Sequence, residues 1–222
     1  MKIVISAATT GEWMPAFRGI NEQYTDGSKP ITVNFYQTGV GLLSSAVSFT
    51  RLMLEQKPGL VIQAGIAGSF DSSFPPGKVV VVKDEYLGDT GVEENEDWKD
   101  VFDLGLENPG KEPFQDKKLS NPWIQQYNLL NLPEVTGITV NEISTQIERI
   151  NKLKQKYNPV VESMEGASLH YTAGLWKIPF IQIRAISNYV GERDKANWRL
   201  KEAIENVNHD LLLLIQKLIQ LH

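Results

Sequence analysis

The sequence of 222 residues contains no cysteine and only three histidines, His170, His209 and His222. Without cysteine there is no disulfide, no thiolate nucleophile and no thiolate metal site. No two histidines have ligand spacing, so no metal site is expected. A Ser-His-Asp triad would need one of these three, and no nucleophile-elbow motif accompanies them. Long apolar runs are missing too. None approaches the ~20 residues of a membrane-spanning helix, and the apolar run in MKIVISAATTGEW is too short for a signal peptide. The expectation is a cytoplasmic protein with no membrane partner. Bases are outnumbered, 22 against 27 acids, for a net charge of −5. That balance argues against nucleic acid as a partner, because phosphate backbones attract basic surfaces.

What is present suits one α/β domain over residues 1–222, with 41% apolar residues to fill a core. Lys2–Ala7, Ile31–Thr38, Leu60–Ala64, Lys78–Glu85, Val135–Val140 and Phe180–Ile186 read as strands. Runs such as KVVVV and FIQIRAI are nearly continuous, as in strands buried on both faces. Gly11–Asn21, Leu42–Glu55, Ser144–Tyr157, Met164–Trp176 and Ala196 to the end carry helical spacing. This alternation predicts a three-layer α/β sandwich around a central mixed, mostly parallel sheet. Ligands of such sheets gather at the carboxyl ends of strands. The acid-rich stretch Asp84–Asp103 reads as a long excursion, either a solvated loop or a lid or subunit contact.

Four strand ends carry polar or small residues. Glu12 follows the first strand, where it can serve simply as a helix N-terminal charge. Thr38-Gly39-Val40-Gly41 forms a glycine turn, and a phosphate cradle is conceivable there. Gln63-Ala64-Gly65-Ile66-Ala67-Gly68-Ser69 leaves space beside the backbone for a ligand or for close packing. Glu165, at the head of an apolar helix, and Arg184, inside an apolar strand, each need a partner if buried. A structural Glu–Arg pair would satisfy both.

Met-Glu-Gly-Ala at 164–167, followed by Arg-Ala-Ile-Ser-Asn at 184–188, resembles the purine nucleoside phosphorylase and nucleosidase superfamily. The resemblance spans nearly the whole chain, through Glu12, TGVG, QAGIAGSF and the final helix. The block MEGASLHY…IPFIQIRAISNYVGERDKANW is most similar to the futalosine hydrolase branch, which serves the alternative menaquinone pathway. The resemblance implies a nucleoside phosphorylase-like fold and a homodimer or higher homo-oligomer, whose neighbouring subunit closes part of the site. It implies an N-glycosidase acting on a small purine nucleoside without a cofactor.

By the same resemblance, Glu12 activates the attacking water, Glu165 bonds the ribose hydroxyls and Met164 packs under the sugar. The residue at 188 stabilises the departing base. Adenine-type nucleosidases carry Asp there, and this chain has Asn188. A carboxamide offers one acceptor and one donor, which matches N7–H and O6 of departing hypoxanthine. Asn also pairs with the N6/N7 edge of neutral adenine, and it cannot supply a proton. Ile66, Ala67, Gly68, Val140, Asn141 and Ser187 are the further expected substrate contacts, with a turn-forming role open for Asn141. Phe70, Val140 and Tyr189 are candidates to stack on the base, and Arg18 or Arg193 to bind the substrate's benzoate tail. Gln63 and Gly65-Ile66 stand where some phosphorylases carry Arg and Gly-Ser, which favours water over phosphate; Arg18 and Arg51 remain as substitutes. An inosine-type phosphorylase, a methylthioadenosine/adenosylhomocysteine-type nucleosidase and a non-catalytic nucleoside-binding protein are the alternatives.

Overall fold

A computed structural model describes residues 1–24 and 31–221. The strands are β1 Lys2–Ala7, β2 Thr32–Gln37, β3 Leu60–Ser69, β4 Val79–Leu87, β5 Gly91–Glu94, β6 Asp97–Asp100, β7 Leu119–Ser120, β8 Glu134–Thr139, β9 Val161–Ser163 and β10 Phe180–Tyr189. The helices are α1 Met14–Tyr24, α2 Leu42–Gln56, α3 Ile124–Tyr127, α4 Ile147–Tyr157, α5 Gly166–Trp176 and α6 Leu200–Gln220. The architecture is the expected α/β sandwich with a mixed central sheet.

The long strand β3 organises the sheet. Its first half pairs in parallel with β1 on one edge and with β10 on the other. Its last residues, Gly68 and Ser69, leave β1 behind and pair antiparallel with Glu162 and Val161 of β9. From β10 the sheet runs on through β4 and β8 back to β9, so five strands close a ring. β1 and β2 extend from it as an open wing.

Alternation along the strands builds the layers. Ile3, Ile5, Ile62, Ile181 and Ile183 face Val207, Leu211 and Ile215 of α6. Val4, Val61 and Phe180 face Phe49, Leu52 and Met53 of α2, with Leu169 and Ala173 of α5. On α6 the apolar Leu200 is 41% exposed, while the polar Asn208 joins the buried face, 2% exposed.

The structure lengthens β3 and β10 beyond their apolar runs. Gly65, Gly68 and Asn188 resemble turn residues in sequence, yet their backbones are paired across the two strands. α2 starts at Leu42 as expected, while the other long helices start later than their apolar spacing begins. Thr10–Glu12 is a separate 3-10 turn before α1, and α5 starts at Gly166, after Glu165. The acid-rich stretch is solvated but is not a loop. Its first residues finish β4, and β5 and β6 form a mostly exposed hairpin bonded to Lys152 and Lys156 of α4. Asp100 is 2% exposed, and Lys117 and Lys156 both pair with Asp103, which holds that carboxyl well below its ordinary pKa.

One side chain joins the two ends of the chain at the sheet's carboxyl edge. Asn208 of α6 accepts from the Ala16 amide at 2.8 Å and donates to the Glu12 carbonyl at 2.8 Å. Asn208→Ala leaves those buried backbone groups unpaired, at about 1–3 kcal/mol. Thermal unfolding should fall by roughly 5 °C at this chain length; an unchanged Tm would show that the turn is held by other contacts.

Candidate active site

A cavity of about 400 Å³ opens at the carboxyl ends of β1, β3, β8, β9 and β10. Glu12, Ile66, Ala67, Gly68, Val140, Met164, Glu165, Ser187 and Asn188 all line it. Topology explains the convergence. The closure of β3 on β9 brings the end of β3 beside Glu162, and the parallel pair β3–β10 brings Asn188 beside Gly68.

Glu12 is held by one oxygen. Its Oε2 accepts from the Thr9 amide at 2.9 Å and the Thr9 hydroxyl at 3.1 Å. This is the helix-start role that its position suggests. The second oxygen, Oε1, is turned toward the cavity wall, 3.4 Å from the Ile66 amide. A Cβ on Gly65 would lie 2.9 Å from that oxygen and 2.5 Å from Nη1 of Arg184. Glycine at 65 is therefore required for Glu12 and Arg184 to approach each other.

Glu165 and Arg184 do form the pair that their buried positions demand. Glu165 Oε2 lies 3.7 Å from Arg184 Nη1, and both residues are nearly fully buried. Glu165 Oε1 accepts from the Gly41 amide at 3.1 Å. That amide is delivered by the glycine turn, in which Gly39 and Gly41 have φ of +81° and +86°. The turn thus cradles a carboxylate of the chain itself rather than a phosphate. Burial raises the pKa of Glu165, against the pull of Arg184 and the Gly41 amide.

Beneath this pair runs a buried polar column. Glu85 of β4 accepts from Thr139 at 2.9 Å through Oε1. Its Oε2 approaches the Gln182 amide where a Cβ on Gly166 would sit. His170 bonds the Leu119 carbonyl at 2.8 Å on the far side. Burial pushes the Glu85 carboxyl up to about 7, with Arg184 pulling it back, and pushes His170 down to about 4.

Asn141 does not reach the cavity. Its amide N–H and its carboxamide both bond Asp89, so its turn role prevails. Phe70 packs against Ile138 and Ile150, away from the cavity, and Tyr189 points outward, 39% exposed. Of the stacking candidates only Val140 lines the wall. Arg18 and Arg51 are exposed and off the lining, and residues 84–103 contribute nothing to it, so that stretch is no lid over this cavity. Arg193 does line it, with its guanidinium 5.5 Å from the ring centre of Trp198. Trp198 is the one aromatic side chain among the described residues lining the cavity, and the sequence offers no signal for it beyond its place before the last helix. Among the described residues there is no cluster of His, Asp or Glu able to hold a metal ion, and no helix long and apolar enough to cross a membrane.

A sequence model of the phosphorylase superfamily matches residues 23–220. The chain belongs to this superfamily. A futalosine hydrolase of Streptomyces coelicolor is 28% identical, covering 92% of this chain and 91% of that protein. A 5'-methylthioadenosine/S-adenosylhomocysteine nucleosidase of Maridesulfovibrio salexigens is 26% identical, covering 86% and 87%. In shape, the chain matches a futalosine hydrolase mutant of Helicobacter pylori with a TM-score of 0.79 over 98% of this chain and 99% of that one, at 17% identity.

The column beneath the superfamily site gives a pH prediction. Glu85 is more basic folded (about 7) than in an unfolded chain (4.5). Its neutral form stabilises the fold fully below the unfolded value, and that contribution fades as pH rises through about 7. Glu85→Gln lacks this loss, while the opposite drift from His170 is common to both proteins. The Tm of Glu85→Gln relative to the parent should therefore climb by roughly 5 °C between pH 5 and pH 8. A difference that is flat with pH would mean that Glu85 is ionised throughout.

Proposed function

We propose that the chain is an N-glycosidase that hydrolyses futalosine to hypoxanthine and dehypoxanthine futalosine. The observation that carries this reading is the meeting, in one cavity, of a carboxylate oxygen free of its helix-start bonds, a buried carboxylate and a carboxamide: Glu12 Oε1, Glu165 and Asn188.

In this reading the ribose lies with its hydroxyls on Glu165, over Met164. Glu165 is already oriented by Gly41 and Arg184. Its hydrogen bonds to the sugar strengthen as positive charge develops on the ring, which favours the oxocarbenium-like state. The water sits at Glu12 Oε1, with the Ile66 amide and Arg184 Nη1 nearby to orient it. As the C1'–N9 bond breaks, water oxygen bonds C1' and its proton passes to Glu12. The electron pair of the broken bond is taken up by the purine, which Asn188 steadies. N7 takes its proton from water, since a carboxamide has none to give.

Water is preferred to phosphate on electrostatic grounds. A phosphate at this wall would face Glu12 and Glu165, with Arg184 already paired to Glu165, and Arg193 is the one cationic side chain lining the cavity among the described residues. The similarity to the M. salexigens nucleosidase favours adenine nucleosides as the second reading. We place the protein in the cytoplasm, in a menaquinone pathway that passes through futalosine, as a homodimer or higher homo-oligomer.

Incubation with futalosine, inosine and methylthioadenosine, each with and without phosphate, tests the substrate. Futalosine should release hypoxanthine at a rate independent of phosphate. Free adenine as the faster product, or turnover that requires phosphate, would overturn the assignment. Glu12→Gln should lower kcat by about 10²–10⁴-fold with KM little changed, and turnover at the parent rate would remove Glu12 from the mechanism.

A further inference from the structure

Asn188 does not stand alone at the base end of the cavity. The register of β10 on β3 slips between Ile186 and Asn188, so Ser187 is an extra residue on its strand. In a regular strand, successive side chains point to opposite faces. A bulge re-aims them, and here Ser187 and Asn188 both line the cavity. They also touch: the Ser187 hydroxyl donates to Asn188 Oδ1 at 2.7 Å. The other end of the carboxamide donates from Nδ2 to the Tyr189 carbonyl at 2.8 Å.

These two bonds define which way the amide faces. A backbone carbonyl only accepts, so Nδ2 must lie beside Tyr189. Turning the amide over would set two acceptors against each other at Tyr189 and make the Ser187 hydroxyl exchange its 2.7 Å bond to Oδ1 for the longer one to Ala67. The hydroxyl itself is buried, and its other neighbour, the Ala67 carbonyl, is farther off at 3.3 Å. One lone pair of Oδ1 and one N–H of Nδ2 remain for a ligand, in a fixed order.

We propose that Ser187 is a positioning residue that, together with the Tyr189 carbonyl, locks the Asn188 carboxamide in one orientation and so lets it tell a 6-oxo from a 6-amino purine. A carboxamide free to turn over accepts either base edge. Turned one way, it meets N7–H with Oδ1 and O6 with Nδ2. Turned the other way, it meets a bare N7 with Nδ2 and a 6-amino group with Oδ1. Only a locked amide makes one of these a mismatch, in which buried polar groups face like partners. Which base is favoured rests on the 6-oxopurine reading above; the lock itself does not.

The test compares the parent protein with Ser187→Ala on a matched pair, futalosine and its 6-amino analogue. The kcat/KM of each is measured, together with the affinity of free hypoxanthine and free adenine by calorimetry. Loss of the hydroxyl leaves the Tyr189 carbonyl as the remaining hold and should shrink the preference between the two bases severalfold, in turnover and in binding alike. Loss of packing alone would weaken both bases equally and leave their ratio unchanged, and that result would overturn the lock. If the parent protein prefers the 6-amino compound, the futalosine assignment falls, while the lock still predicts that Ser187→Ala narrows that preference.

Discussion

The buried pair of Glu165 and Arg184 constrains the rest of the site. Neither charge is stable alone at that depth, because removal from water costs more than an unpaired group recovers. Each therefore dictates its surroundings. Arg184 favours glycine at 65, since a Cβ there would lie 2.5 Å from its Nη1. Glu165 requires a backbone donor, which the glycine turn supplies through Gly41. The pair also sets the carboxylate of Glu165 facing the cavity beside Glu12, so that sugar binding and water activation share one wall. The column of Glu85, Gln182 and His170 continues the same polar seam into the core.

Much of this is legible in the sequence. The β-branched runs mark the central strands, because strands buried on both faces need no polar alternation. The demand of Glu165 and Arg184 for partners follows from their apolar neighbours alone. What the sequence hides is mostly backbone. The extensions of β3 and β10 run through Gly65, Gly68, Ser187 and Asn188, residue types that signal turns, and only the ladder partners across the sheet show them as strand. The hairpin in the acidic stretch is equally hidden, since Asp100 and Asp103 at its end pair with Lys117 and Lys156, far along the chain.

The candidate site divides in the same way. Residues named through the family resemblance reach the cavity: Glu12, the Ile66–Gly68 run, Met164, Glu165 and Asn188. Asn141 does not, because a nearby carboxylate, Asp89, competes for its amide, and one-dimensional reading does not show which polar partner lies closer. Trp198 escapes notice because nothing in its local sequence separates a cavity aromatic from a core one. The role of Ser187 depends on a register slip, which spacing along a single strand cannot reveal.

The central claim is that water, activated at Glu12, is the nucleophile. Turnover of futalosine in ¹⁸O-labelled water with excess phosphate tests it most directly. The account predicts one labelled oxygen at C1 of the free sugar product and no sugar phosphate. An unlabelled sugar 1-phosphate would contradict it.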